Sequence, residues 1–549
     1  MMNKVKNMLH SISENLRLVT SSYPVTVILI FLTSLAAAVF IDQSGTAGKF
    51  MENKGIPFLL IWGIGAYFTE TYWGEHITAK WCGTAAAGLI SAGFIYFGNS
   101  SSEITRYLVT RWETAYGIVL CALGVYRNFQ KSGLPFGQYC IRVVHELSRL
   151  SIVSSVTAAG ISLVMATFVE LILSGEHFML VFRAESLVLG CLTGCGLLNA
   201  QIRTDRELPR FFIVIVKYLL MGLLTAAFAI IYGYILKIII TRVVPSNEIF
   251  RILAGLFIIG MPIWTLAGTF GEDQWPVRIA VRLPYIFIPF LFLQGYAIRE
   301  RIAAYGMTPA RYLCLALMVF EIIYIAVYAL RRRETGVMLP VVAVMAVICL
   351  VLPGVNMYST ANRSQKAIFD RYIGSEFSAL PSEDQSSLAG AYYYLADSTE
   401  GKAMLEDADP EKIEAIKASG LTGIREFDEN IYFNFEFPMI REDIGTYSRM
   451  TMLTNENAFS EEDKNNYDPE KLRLYDPEGT LILTADLSGF INQCISAEAE
   501  NQTGTPDFPG TAALEDGKLL RITECHCGMS ADPEHEISYL YLKAILLEE

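Results

Sequence analysis

Apolar runs nearly free of charge recur through residues 1–358, and they leave the chain few folds to choose from. The clearest cover residues 24–41, 56–68, 81–97, 150–173, 218–236, 252–270, 283–298, 312–330 and 336–358. Two further runs, 107–126 and 181–201, carry Arg111 with Glu113 and Arg183 with Glu185. Most reach or approach the about 20 residues that a helix needs to cross about 30 Å of hydrocarbon. Lipid offers no partner to a bare N–H or C=O, so such spans are helices. The expectation is an α-helical polytopic membrane protein with eleven spans. Tyr72, Trp73, Trp81, Trp112, Trp275 and Tyr285 fall near the ends of these runs, as interfacial aromatics do. The first run lacks a small-residue cleavage site and leads straight to another span, so no cleavable signal peptide is expected.

Charge divides the chain near residue 359. Residues 1–358 hold 28 Lys and Arg against 19 Asp and Glu, whereas residues 359–549 hold 15 against 37. This predicts a polytopic domain over 23–358 and an acidic soluble α+β domain over 359–549. Ahead of them, Val5, Met8, Leu9, Ile12, Leu16 and Val19 recur at helical spacing among Lys4, Lys6 and Arg17. Residues 1–22 therefore read as an amphipathic segment lying on the membrane surface.

The acidic half carries its own punctuation. Asp409-Pro410-Glu411 supplies an N-cap, a first-turn proline and a first-turn acid, and Gly420 a stop. Ile431, Phe433, Phe435 and Phe437 alternate with polar residues, as do residues 537–542, which marks half-buried strands. Asp476-Pro477-Glu478-Gly479 separates two short apolar runs and predicts a hairpin. Seven of the ten cysteines lie in or beside the apolar runs, where a thiol is a small apolar residue.

Orientation follows from Lys and Arg in the short loops. Loops 127–149, 203–210, 278–282 and 331–333 hold twelve, and the alternating loops hold seven. The first set is expected to be cytoplasmic, which puts the acidic domain outside the cell. Arg363, Lys366 and Arg371 at the start of that domain narrow the margin to twelve against ten.

Ionisable groups inside spans are costly and so mark function first. Glu321 lies near the middle of run 312–330, and Glu170 late in run 150–173. Either could titrate in a proton- or ion-coupled path, or be paired structurally. Glu113, Glu185 and Lys217 lie nearer span ends, where pairing with Arg111 or Arg183 or extension to the interface accounts for them. Small residues such as Gly190 and Gly194 read as helix-packing positions.

Several chemistries are excluded. No Gly-Lys pair is followed by Ser or Thr, so there is no P-loop, and His145-Glu146 meets Arg149 where a zinc protease needs its second histidine. Cys525-His526-Cys527 on a strand puts the thiols on one face and the histidine on the other, poor geometry for a metal. No cofactor is implied, no catalytic set is recognisable, and the basic groups lack the interleaved aromatics of a nucleic-acid surface.

The segment Arg301-Ile302-Ala303-Ala304-Tyr305-Gly306-Met307-Thr308-Pro309-Ala310-Arg311-Tyr312 joins two late spans. It resembles the R-x-x-x-Y-G-x-T-x-x-R-Y signature of the bacterial membrane-protein family called domain of unknown function 4153. Tyr23-Pro24-Val25-Thr26, Lys217-Tyr218-Leu219-Leu220, residues 232–237 and residues 386–395 look similar to that family in the same order, while Gly222 stands where the family carries a proline. The resemblance implies a polytopic bacterial envelope protein and no particular reaction. Physically, Arg301, Tyr305, Gly306, Thr308 and Arg311 form either a cationic site for a lipid phosphate or partner carboxylate, or a helix–turn–helix corner whose arginines bond free carbonyls.

Two function classes remain. One is transport or translocation of a small molecule or lipid along a path through the later spans. The other is a membrane-anchored sensor or envelope-assembly scaffold, with membrane lipids around it and an envelope protein bound to its acidic domain. A membrane enzyme acting on lipid ranks behind both.

Overall fold

Proline and glycine set many of the helix ends. Pro24 and Pro309 sit in the first turn of their helices, where the missing N–H had no partner to lose. Gly133 at φ 64° and Gly306 at φ 74° take backbone conformations that disfavour a side chain, and each ends a helix. The computed structural model describes residues 14, 16–41, 46–172, 178–203, 208–241, 248–271, 274–375, 377, 380–405, 408–418, 430–436, 449–455, 467–476, 479–499, 511–513, 519–530 and 537–548.

The membrane part is built from α1 (Pro24–Phe40), α2 (Ile56–Trp73), α3 (Ile77–Gly98), α4 (Glu103–Ser132), α5 (Phe136–Ile172) and α6 (Met179–Ile202). There follow α7 (Met221–Thr241), α8 (Glu248–Ala267), α9 (Ile288–Tyr305), α10 (Pro309–Leu330), α11 (Met338–Leu350) and α12 (Met357–Tyr372). Among the described residues, seven helical stretches are long and apolar enough to cross a membrane: Ile77–Gly98, Glu103–Ser132, Phe136–Val169, Met179–Ile202, Arg210–Lys237, Phe250–Ala267 and Pro309–Leu330. An eighth is α1 joined to the short helix Leu16–Ser22, from which it is bent by 110°. Residues 1–13 and 15 of the expected amphipathic segment lie outside the described residues.

The chain is therefore a multi-pass membrane protein. Its helices also expose large apolar side chains: Leu89, Leu163, Ile230 and Leu330 are each at least 70% exposed. In water that surface would be a liability; in lipid it costs nothing. The other three of the eleven runs fall on helices with weaker credentials. α2 carries Glu70, α9 carries Arg299, Glu300 and Arg301 in its second half, and α11 has 13 residues. Gly190 and Gly194 of α6 lie against Ser34 and Ile30 of α1, leaving no room for a Cβ. Close approach of the two backbones is the packing device here.

Two compact units result, Met1–Ala367 with Thr399–Ala403, and Ile368–Ser398 with Met404–Glu549. The second unit contains α13 (Ser382–Asp397) and, beyond α14 (Thr399–Met404), α15 (Pro410–Ala418), where the Asp409 carboxylate accepts the Glu411 N–H at 3.1 Å. Phe369, Leu388, Tyr392, Leu395 and Ile416 form their shared core.

Its sheet comprises β1 (Asn430–Glu436), β2 (Arg449–Thr454), β3 (Leu472–Tyr475), β4 (Leu481–Ala485), β5 (Thr511–Ala513), β6 (Leu519–Ser530) and β7 (Ile537–Glu548). The order is β1-β6-β7-β2-β3-β4, with β5 beside β6, and the pairings are antiparallel. Between β3 and β4, Gly479 at φ 81° closes the hairpin, and Asp476 accepts from Gly479 N–H at 3.0 Å and Thr480 N–H at 2.8 Å. One face is covered by α16 (Ser488–Ala499), whose Phe490, Ile491 and Cys494 join Leu540, Leu542, Ala544 and Leu546 of β7. On β6 the inward residues are Leu520 and Ile522, then Cys525 and Cys527. A register shift between Ile522 and Glu524 changes the parity, because one extra residue moves every later side chain to the opposite face.

Burial pushes the Cys527 thiol up to about 12. A hydrogen bond with Cys494, then burial, holds Cys525 well above its ordinary 9.0. Both favour the neutral thiol in the fold, so their contribution is complete below about pH 9 and is lost as pH rises towards 12. The domain's denaturant midpoint should fall steadily over that window. A midpoint flat from pH 8 to pH 11 would contradict the thiols' burial.

Candidate functional site

On α10, Glu321, Tyr324, Ile325 and Tyr328 are buried and share one face at helical spacing. Glu321 is 0% exposed and lies ten residues beyond Arg311, about 15 Å along the helix. Opposite it stands Gln294 of α9, also 0% exposed, whose Nε2 donates to Glu321 Oε1 over a long 3.4 Å. Glu321 Oε2 and Gln294 Oε1 are buried with no hydrogen-bond partner among the described residues. One turn along, Tyr324 and Thr265 of α8 share a hydroxyl–hydroxyl bond of 2.7 Å, and Tyr328 donates to the Val281 carbonyl at 3.1 Å. Phe257 and Trp264 wall the group, with ring centroids 5.6 and 6.2 Å from Tyr324. A carboxyl beside an amide in such a setting can hold or pass a proton, or ligate a desolvated cation.

The 301–312 segment is a corner between α9 and α10. Gly306 donates its N–H to the Ile302 carbonyl at 2.9 Å and ends α9, and Thr308 caps α10 by accepting the Arg311 N–H at 3.4 Å. Arg311 is 4% exposed, donates to the Gly306 carbonyl at 2.5 Å and sits 5.4 Å from the centroid of the Tyr305 ring. From α12, Ser364 accepts the Met307 N–H at 2.8 Å, and Gln365 Nε2 donates to the carbonyls of Tyr305 and Met307 at 3.2 and 3.1 Å. Arg311 thus holds the turn together, while Arg301 is half-buried on α9. The corner and the Glu321 face lie at different levels of α10, so the structure does not merge them into one site.

Glu170 lies on α5, and its side chain is outside the described residues. Glu185 accepts a hydrogen bond from Ser162 of α5, and the Lys217 ammonium lies 4.6 Å over the Phe270 ring. Arg111 pairs with Glu400 of α14 at 3.3 Å, and its guanidinium lies 3.7 and 3.9 Å from the Tyr107 and Tyr358 rings.

A buried polar assembly escaped sequence reasoning. Glu70 of α2, 2% exposed, accepts the N–H groups of Val25 at 2.8 Å and Thr26 at 3.1 Å, and the Thr26 hydroxyl at 2.7 Å. It caps the N-terminus of a helix to which it does not belong. Beside it Tyr23 donates to Asn128 Oδ1 at 3.0 Å, Asn128 Nδ2 to Gln201 Oε1 at 3.1 Å, and Tyr67 to the same Gln201 oxygen at 2.5 Å. Four helices meet there. The available signal was a lone acid in an apolar helix, just past the end of the expected run at residue 68, and likewise Gln294 is the one polar amide in run 283–298.

Compared with protein families, residues 56–378 match the one described as Domain of unknown function (DUF4153). The chain belongs to the DUF4153 family. The DUF4153 match covers more than half the chain and includes α2 to α12, and with them the Gly306 corner, Gln294 and Glu321. Tyr23–Thr26 and residues 386–395 lie outside it. No curated protein and no solved structure gives a significant match to the chain.

Proposed function

We propose that this DUF4153 chain is a transporter or translocator of a small molecule or lipid, in the cytoplasmic membrane of a bacterium, coupled through Glu321. The observation that carries this reading is a fully buried carboxyl with a single weak amide partner, in a helix apolar enough to span a membrane. An unpaired carboxylate in hydrocarbon costs several kcal/mol, so the resting group is the neutral acid, and it ionises when water or a cation reaches it. The later spans form the path, the eleven apolar runs all cross, and the acidic domain lies outside the cell, on the side favoured by the loop charges.

Glu321→Gln keeps the shape and removes the proton. In proteoliposomes with an entrapped pH dye, the wild-type chain should collapse an imposed proton gradient at least tenfold faster than the variant. The variant's unfolding midpoint should hold or rise, because a desolvation cost is gone. Equal rates would overturn the role of Glu321. If neither protein passes protons, the scaffold reading takes over. It draws on the acidic unit, which has its own core and would bind an envelope partner.

A further inference from the structure

A second site lies far along the chain from Glu321 and does not depend on it. The turn Met51–Gly55, the end of α3 and the first half of α4 enclose a cleft of about 620 Å³. Three charged side chains line it: Lys49, Lys54 and Glu113. Among the described residues, none of the three makes an ion pair or hydrogen bond. Glu113 is half-buried on α4, while Lys49 is exposed at the rim. Charged groups gathered in one cleft without pairing one another are arranged for a ligand that carries both signs.

The location specifies the ligand further. The cleft sits where α3 ends and α4 begins, both long and apolar enough to cross a membrane. Phe50, Tyr96 and Phe97 beside it are 57%, 76% and 53% exposed, the mark of a bilayer interface. The same helix pair carries an apolar groove of about 310 Å³, lined by Ile90, Leu108 and Trp112 and sharing Phe94 with the cleft. We propose that the cleft binds a phospholipid with a phosphoethanolamine head group. Lys49 and Lys54 take the phosphate as point charges, Glu113 takes the primary ammonium, and an acyl chain follows the groove. A choline head group has no N–H to give Glu113, and a glycerol head group has no cation.

Native mass spectrometry of the full chain in detergent tests this, with phosphatidylethanolamine, phosphatidylcholine and phosphatidylglycerol of matched acyl chains. The wild-type protein should retain phosphatidylethanolamine about tenfold over phosphatidylcholine, the equivalent of one charge-assisted bond. Glu113→Gln should erase that preference, and phosphatidylglycerol retention should hold or rise, because the carboxylate gave an anionic head group no favourable contact. Lys49→Met with Lys54→Met keeps the apolar stems and should weaken all three lipids about tenfold. Equal retention of the three lipids by the wild-type chain, or variants that match it, would overturn the proposal. Binding of free phosphorylethanolamine as tightly as the intact lipid would also overturn it, since the acyl chain would then add nothing and the site would belong to a soluble head group. Should the lysine pair fail to insert, Glu113→Gln alone still decides, because it is isosteric.

Discussion

Glu70→Ala should lower the stability of the membrane unit by about 3 kcal/mol, the sum of a lost helix cap and buried donors left unmade. The reason is the start of α1. Pro24 has no N–H of its own, so the first donors of that helix are Val25 and Thr26, and both are given to Glu70. Val25 is 9% and Thr26 4% exposed, so water cannot replace the carboxylate cheaply. Glu70→Gln retains one acceptor and should cost about half as much, and Thr26→Val, which loses the hydroxyl alone, about 1 kcal/mol. Denaturant titration in mixed micelles reads all three. A midpoint for Glu70→Ala within error of wild type would mean that α1 is held by packing and not by its cap.

Asn455→Ala should destabilise the second unit by about 2–4 kcal/mol, an effect of the same order. Asn455 follows β2 and is 1% exposed. Its Nδ2 donates to the Leu540 carbonyl and its Oδ1 accepts the Leu542 N–H, both at 2.7 Å, so the amide continues the ladder where β2 leaves β7. Alanine strands two backbone groups inside the core. Asn455→Asp should be at least as damaging, since a carboxylate can take the N–H but repels the carbonyl and buries a charge. Hydrogen exchange at β7 in the full chain reports the change, and protection there equal to wild type would remove Asn455 from the sheet's support.

The elements that could be read from the residues are those whose causes are local. The apolar runs, Pro410 behind its Asp409 cap, the alternation in β7 and the Asp476–Gly479 turn all answer to interactions a few residues apart. The corner at Gly306 was legible for the same reason, although its docking on Ser364 and Gln365 was not. Spans of mixed character were harder to count. Glu70 in α2 and the charged stretch Arg299-Glu300-Arg301 of α9 weaken the length-and-hydropathy signal, and Glu70 is satisfied by residues far along the chain.

Sequence by itself determined a multi-pass helical chain with an acidic α+β domain behind it, because hydrophobic length and period act within a segment. Tertiary structure alone decided the partners: Glu70 with Val25 and Thr26, Arg111 with Glu400, and Gln294 with Glu321. It also decided that Cys525 and Cys527 face the core, since a single register shift in β6 sets their side of the sheet. A buried polar group is tolerable only when a specific donor or acceptor meets it, and which residue arrives there depends on how separate helices pack, which no local pattern encodes.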